Sequence, residues 1–226
     1  MNIEIVSDAG VDNIFSVPRI GVHMELNSNY TNIIYNGKGP DENYSDRKRA
    51  NHDGIWNLNV DTNGHSPYVV PSENGGRCDV KAFILKTNNP TKNFKNIMIT
   101  YEQLDDDDDD NNEEDLSGLF IHKGGHSGRV RKRPAGTNGA QINLSRYNIN
   151  ELNNARHDDE LIGRKSGDSN NNIGCKDKTL HLHVDTAHMG VGGDTGWTPE
   201  THYQYRILAK KGTVWRYSLK VEVNDE

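Results

Sequence analysis

The sequence predicts an all-β fold, a large antiparallel β-sandwich. Three observations carry this. Short runs of β-branched and aliphatic residues recur along the chain; glycine, proline, asparagine or aspartate bounds nearly every one; and apolar and polar residues alternate within the later runs. The first strands expected are Glu4–Val6, Arg19–Leu26, Thr31–Tyr35, Pro67–Val70 and Asn96–Tyr101, followed by Gln141–Ser145. Asn150–Arg156 reads as a short helix capped by Asn148 or Asn150. Thr179–Val184, Thr201–Ile207 and Val214–Val221 read as strands, the last two alternating around a Lys210-Lys211-Gly212 turn.

Between these runs, residues 105–139 differ in composition. They open with six aspartates and close on the basic run Arg129-Val130-Arg131-Lys132-Arg133, too little apolar surface to offset the entropy of ordering. The whole chain, 1–226, is therefore read as one domain with a charged low-complexity insertion at about 105–139. The aspartates lack the spacing of a calcium loop, and the basic run reads as their counter-charge. Residues 166–172, rich in serine and asparagine, read as a second loop.

With 32% hydrophobic residues, the 226-residue chain can bury a core, and no apolar run is long enough to span a bilayer. A net charge of −7 argues against a general nucleic-acid binder, which needs a basic face. The start lacks the pattern of a secretory signal, and Cys78 and Cys175 read as two free thiols, so a cytoplasmic location is expected. The sequons at Asn29 and Asn43 carry little weight in so asparagine-rich a chain.

The most informative stretch is His188-Met189-Gly190-Val191-Gly192-Gly193-Asp194, which leads through Gly196 to Trp197 and Pro199. Its glycines permit a tight backbone path that ends in a large aromatic side chain. An indole face can stack on the C–H face of a pyranose, or it can simply plug the end of a sandwich; chemistry alone leaves both open.

This loop, with Tyr203, Tyr205-Arg206-Ile207 and the closing Tyr217-Ser218-Leu219, resembles the ending of glycoside hydrolase family 2 β-galactosidases. Earlier segments agree in the same order: Pro18–Gly21, Gly37–Arg47, Pro67–Cys78 and Asn143–Tyr147. The resemblance implies a galactose-mutarotase-like supersandwich with some early strands missing on its N-terminal side. It implies that Trp197 contacts the sugar, with His188, Gly190, Gly192, Gly193 and Asp194 forming the loop that supports it. No catalytic residue and no metal ligand is expected in this chain. In that family both carboxylates of the retaining pair, about 5 Å apart, come from a barrel domain. Magnesium and sodium are likewise expected in the barrel-bearing partner, with no cofactor here.

The implied function is a share in β-galactoside hydrolysis, together with a barrel-bearing chain or as a homo-oligomer and with neither nucleic acid nor membrane as partner. Glu42, Asp46 and Glu73 stand in the matching loops without the spacing of a catalytic pair, and those loops read as shape-setting. Two rival readings remain: a stand-alone carbohydrate-binding module, and a cupin-like metal protein using His181, His183, Asp185 and His188.

Overall fold

A computed structural model describes residues 1–8, 15–87, 94–104, 132–161, 179–193 and 200–224. Two antiparallel sheets face each other. The larger has six strands in the order β1 (Asn2–Val6), β12 (Val214–Asn224), β8 (Asn96–Gln103), β7 (Ala82–Thr87), β4 (Tyr30–Gly39) and β5 (His52–Asn59). The smaller runs β3 (Arg19–Leu26), β10 (Leu180–His188), β9 (Ala140–Ser145), β6 (Gly76–Val80). A two-stranded ribbon joins β2 (Phe15–Val17) to β11 (Ile207–Ala209). The all-β sandwich expected from the strand pattern is the fold observed. Among the described residues no helix is long and apolar enough to cross a membrane.

The period of two explains the core. Ile33 and Tyr35, Phe83 and Leu85, Ile99 and Tyr101, and Tyr217 and Leu219 point inward from the six-stranded sheet. They meet Ile142 and Leu144, Leu180, Leu182 and Val184, and Val80 from the four-stranded sheet. A second core under the ribbon packs Ala187, Ile207 and Ala209 around Trp215, which has no exposed surface.

The outer face of the four-stranded sheet is polar yet mostly buried. Asp79, Gln141, Asn143 and Asp185 all project there with less than a tenth of their surface exposed. Two loops cover them. Asn43, fully buried, accepts from the Cys78 amide and donates to the carbonyls of Lys38 and Asp41. Asn74 exchanges two hydrogen bonds of 2.7 Å with the Ser66 backbone, and its own carbonyl accepts from Asn143 Nδ2. Both loops carry their own hydrogen-bond partners, so they hold one shape over a polar floor, as the shape-setting reading expects. Cys78 is a free buried thiol whose Sγ donates to Gln141.

Several sequence expectations need correction. Pro67–Val70 is not a strand: Val69 and Val70 are exposed, no neighbouring strand pairs with them, and Tyr68 instead sends its hydroxyl to Glu42. Thr201–Ile207 is not a strand either. Its middle is a 3-10 turn, Tyr203–Tyr205, because its backbone is used elsewhere: the Tyr205 carbonyl accepts from Gly190 and the Thr201 carbonyl accepts from Arg206 Nε. The Gly212 turn exists, with φ of 81°, but the elements it joins do not form a hairpin. β11 pairs with β2, whereas β12 pairs with β1 and β8.

The helix spans Ile149–Asn154 and is capped by Asn148 in a reciprocal capping box with Glu151. Strands β2, β5, β6 and β7 were not expected. β6 reads Gly-Arg-Cys-Asp-Val and is buried throughout, with Arg77 opposite the core residue Ile142 and Cys78 bonded to Gln141 in the covered layer, so no alternation shows.

Within the stretch read as an insertion, residues 105–131 lie outside the described residues, as do 166–172 and Cys175. Residues 132–139 are described, and they pack on the sandwich. Trp215 Nε1 donates to the Lys132 carbonyl at 2.9 Å, and Arg133 donates to Tyr101 and Thr186.

Candidate sugar-site wall

At one end of the four-stranded sheet, β3 begins with Arg19, β10 ends with His188, and the two covering loops approach them. They enclose a pocket of about 440 Å³ lined by Arg19, Tyr44, Arg47, Tyr68, Glu73 and the chain from His188 to Gly192. These residues come from four of the segments singled out in the sequence, separated by up to about 170 positions.

Arg19 organises the floor. Its Nε and Nη2 donate to Asp185 Oδ2 at 3.1 and 2.5 Å, and its Nη1 donates to Glu73 Oε2 at 3.2 Å. Gly21 permits this, because a Cβ there would fall 2.2 Å from an Asp185 carboxylate oxygen. The Asp185 side chain is only 2% exposed. Burial pushes its carboxyl up from the ordinary value, and Arg19 offsets part of that rise. For Arg19 burial acts downward, but attraction to Asp185 and Glu73 outweighs it and holds the guanidinium charged.

Glu73 also accepts from Asn143 Nδ2 at 2.6 Å and lies 3.6 Å from His188 Nε2. Burial would raise its carboxyl, yet His188 and Arg19 outweigh burial and leave it below the ordinary value. A carboxylate held ionised is a poor proton donor. Glu42 accepts from the Tyr44 and Tyr68 hydroxyls, and Arg47 donates to Tyr68.

The glycine loop is anchored from both sides. The amides of Val191 and Gly192 donate to Asp46 at 3.2 and 2.8 Å, and the Gly190 amide donates to the Tyr205 carbonyl. A Cβ on Gly190 would sit 2.4 Å from Asp46 Oδ2, so this approach demands glycine, and Gly192 and Gly193 turn through φ of 73° and 89°. Thr201 Oγ1 donates to the Gly190 carbonyl at 2.9 Å, closing the loop at its base. His188 donates from Nδ1 to the Met189 carbonyl and packs against Tyr44, with ring centroids 5.7 Å apart.

The structure thus brings His188, Gly190 and Gly192 to the pocket and puts Gly193 next in the loop. Asp194 and Trp197 lie outside the described residues. Sequence reasoning named Asp46 only as an available carboxylate and missed the part it plays. It also passed over Arg19, Tyr44, Arg47 and Tyr68 as pocket residues, although each stood in a recognised segment. The four residues of the cupin-like pattern do not share one ligand set: Asp185 is taken by Arg19, and His188 belongs to the pocket.

His183 lies beside this network, stacked on His23 with centroids 4.4 Å apart. Burial first, then repulsion from Arg19, His23 and His181, lowers its imidazole from 6.5 to about 4, against the pull of Glu73. The unfolded chain takes up this proton at higher pH than the folded one. His183 therefore stabilises the fold above pH 6.5, and that contribution is lost as pH falls from 6.5 towards about 4. Urea unfolding in the presence of a chelator should show about 1–2 kcal/mol lost across that window, a figure reduced for solvent screening at a half-buried group. His183→Gln should flatten this part of the profile; an unaltered slope in the variant would exclude His183 as its source.

The profile of the β-galactosidase small chain family matches residues 1–221. The chain belongs to that family. Similar proteins include β-galactosidases from Pseudoalteromonas haloplanktis, 29% identical over 92% of this chain, and Lactococcus lactis, 30% identical over 90%. A third, from Pectobacterium atrosepticum, is 28% identical over 87%. In each case the chain spans about 14% of the relative's own length. The small-chain match runs through every segment that lines the pocket, from Pro18 to Gly192.

Proposed function

We propose that this chain supplies one wall of a β-galactosidase sugar site, for terminal β-D-galactosides such as lactose, and that a barrel-bearing chain supplies the bond-breaking carboxylates. The single observation carrying this is the pocket, built from family segments and closed by a glycine loop whose two ends are pinned at Gly190 and Thr201. Residues 191–200 join those ends and include Trp197. An indole has a flat apolar face on which a pyranose can stack, and the pocket itself presents the phenols of Tyr44 and Tyr68 and the charges of Arg47 and Glu73.

Among the described residues the carboxylates in and around the pocket are committed: Glu73, which lines it, to Arg19 and Asn143, and behind the lining Glu42 to two tyrosines and Asp46 to loop amides. They orient and bind. Magnesium and sodium, on this reading, belong to the barrel-bearing chain, and the buried free thiol of Cys78 suits a cytoplasmic setting.

The test is complementation. The full chain, mixed with a barrel-bearing β-galactosidase chain lacking this region, should restore hydrolysis of a β-galactoside that neither hydrolyses alone. Trp197→Ala in the assembled enzyme should weaken transition-state binding by about 1–3 kcal/mol, read as kcat/KM. Wild-type kinetics in that variant would remove Trp197 from the site. Tight galactoside binding by the isolated chain would favour a stand-alone binding module instead.

A further inference from the structure

On the same outer face, away from the pocket, β3 and β10 bring three donor-bearing side chains together. His181 lies directly opposite Glu25 in the antiparallel register, and His23 is two residues before Glu25 on the same face of β3. His23 Nε2 and His181 Nδ1 are 3.1 Å apart, and Glu25 Oε1 is 4.0 Å from His181 Nδ1. One ligand atom from each of the three lies within 4.8 Å of the others. From the geometry we infer that His23, Glu25 and His181 form a binding site for one borderline divalent cation of the zinc class, departing from the expectation that this chain holds no metal.

The distances suit the ion. Two nitrogens 3.1 Å apart, each about 2.05 Å from a shared zinc, subtend an angle of about 98° at the metal, some 10° short of tetrahedral. A few tenths of an ångström of ring movement closes the difference. Two imidazoles and one carboxylate match the donor preference of zinc, nickel or copper, whereas magnesium and calcium prefer an all-oxygen set.

The proton that one ring places between the two nitrogens moves, on binding, to the far nitrogen of that ring, so a neutral pair needs no net proton release. Access is open. His23 is exposed and the Glu25 side chain is 66% exposed, while His181 is rooted in the sheet with 10% of its side chain exposed. Among the described residues three groups supply donors, and a four-coordinate ion completes its shell with one more ligand such as water. His183, stacked on His23 with the planes 16° apart, restrains that ring and acts as a positioning residue.

The consequence is a cross-strand clip. β3 is the edge strand of the four-stranded sheet, and a metal shared by β3 and β10 would tie that edge down. The site depends on neither the sugar nor a partner chain, so its test is separate from that of the proposed function.

Isothermal titration of the full chain, stripped with a chelator, should show one equivalent of Zn²⁺ bound, and excess zinc should raise the thermal midpoint. Co²⁺ in its place should give the visible absorption of a tetrahedral complex. His23→Ala and His181→Ala should each weaken binding about tenfold or more and abolish the thermal shift. Glu25→Gln, an exposed change that no fold contact requires, should weaken binding several-fold with an unaltered circular dichroism spectrum. Absence of saturable binding overturns the inference. So does one-site binding of unchanged affinity in folded His23→Ala and Glu25→Gln, which would place zinc on other histidines.

Discussion

Arg19→Ala should destabilise the fold by about 3–5 kcal/mol, because it strands a buried carboxylate rather than merely deleting a contact. The Asp185 side chain is 2% exposed, and Arg19 donates to its Oδ2 from both Nε and Nη2. Burial already pushes the Asp185 carboxyl upward. Without the guanidinium, the group must either stay charged in a low-dielectric layer or take up a proton, and both cost free energy. Glu73 would lose one of its three partners too, and that carboxylate forms part of the pocket.

Equilibrium urea denaturation reads the loss directly. The double variant Arg19→Met with Asp185→Leu should regain a large part of it, since a packed apolar pair of similar volume removes the stranded charge. A loss under about 1 kcal/mol in the single variant would show that water reaches Asp185 and that the buried-network account is wrong.

Trp215→Ala is the second large effect, about 3–5 kcal/mol, from the cavity left by the largest fully buried side chain in the described fold. Trp215 fills the core formed by Ala187, Ile207 and Ala209, and Met189 packs against that core. Its indole N–H also ties the Lys132 carbonyl to the sandwich. The same core lies beneath the entry to the glycine loop, so the variant should also disturb the pocket lined by that loop.

Trp215→Phe keeps most of the packing and gives up the hydrogen bond, so it should cost less, about 1–2 kcal/mol. Thermal and urea midpoints for the two variants check the order. Equal losses would mean that the hydrogen bond to Lys132, rather than packing, dominates at this position.

What could be read in advance follows the burial pattern of each element. β3, β8, β10 and β12 pack one face on an apolar core, so apolar residues recur at every second position and local reading finds them. β6 and the covering loops escape that reading because their partners are polar side chains distant in sequence, as with Asn43 on the Cys78 amide or Glu73 on Asn143. The run Thr201–Ile207 alternates like a strand and still forms a 3-10 turn, since its backbone groups answer to Gly190 and Arg206. The recognised segments marked the neighbourhood of the pocket but not the duties within it. That Asp46 holds the loop amides, and that Arg19 bridges two carboxylates, are facts of spatial approach.

By itself the sequence determined the fold class, the family and the stretch that carries Trp197, because alternation and ordered motifs are local properties of the chain. Only the tertiary structure decided which sheet each strand joins, which carboxylates are committed to holding the wall in place, and that three donor groups from β3 and β10 meet on one face. The physical reason is that pairing register and charge compensation act between residues far apart along the chain, where no local periodicity records them.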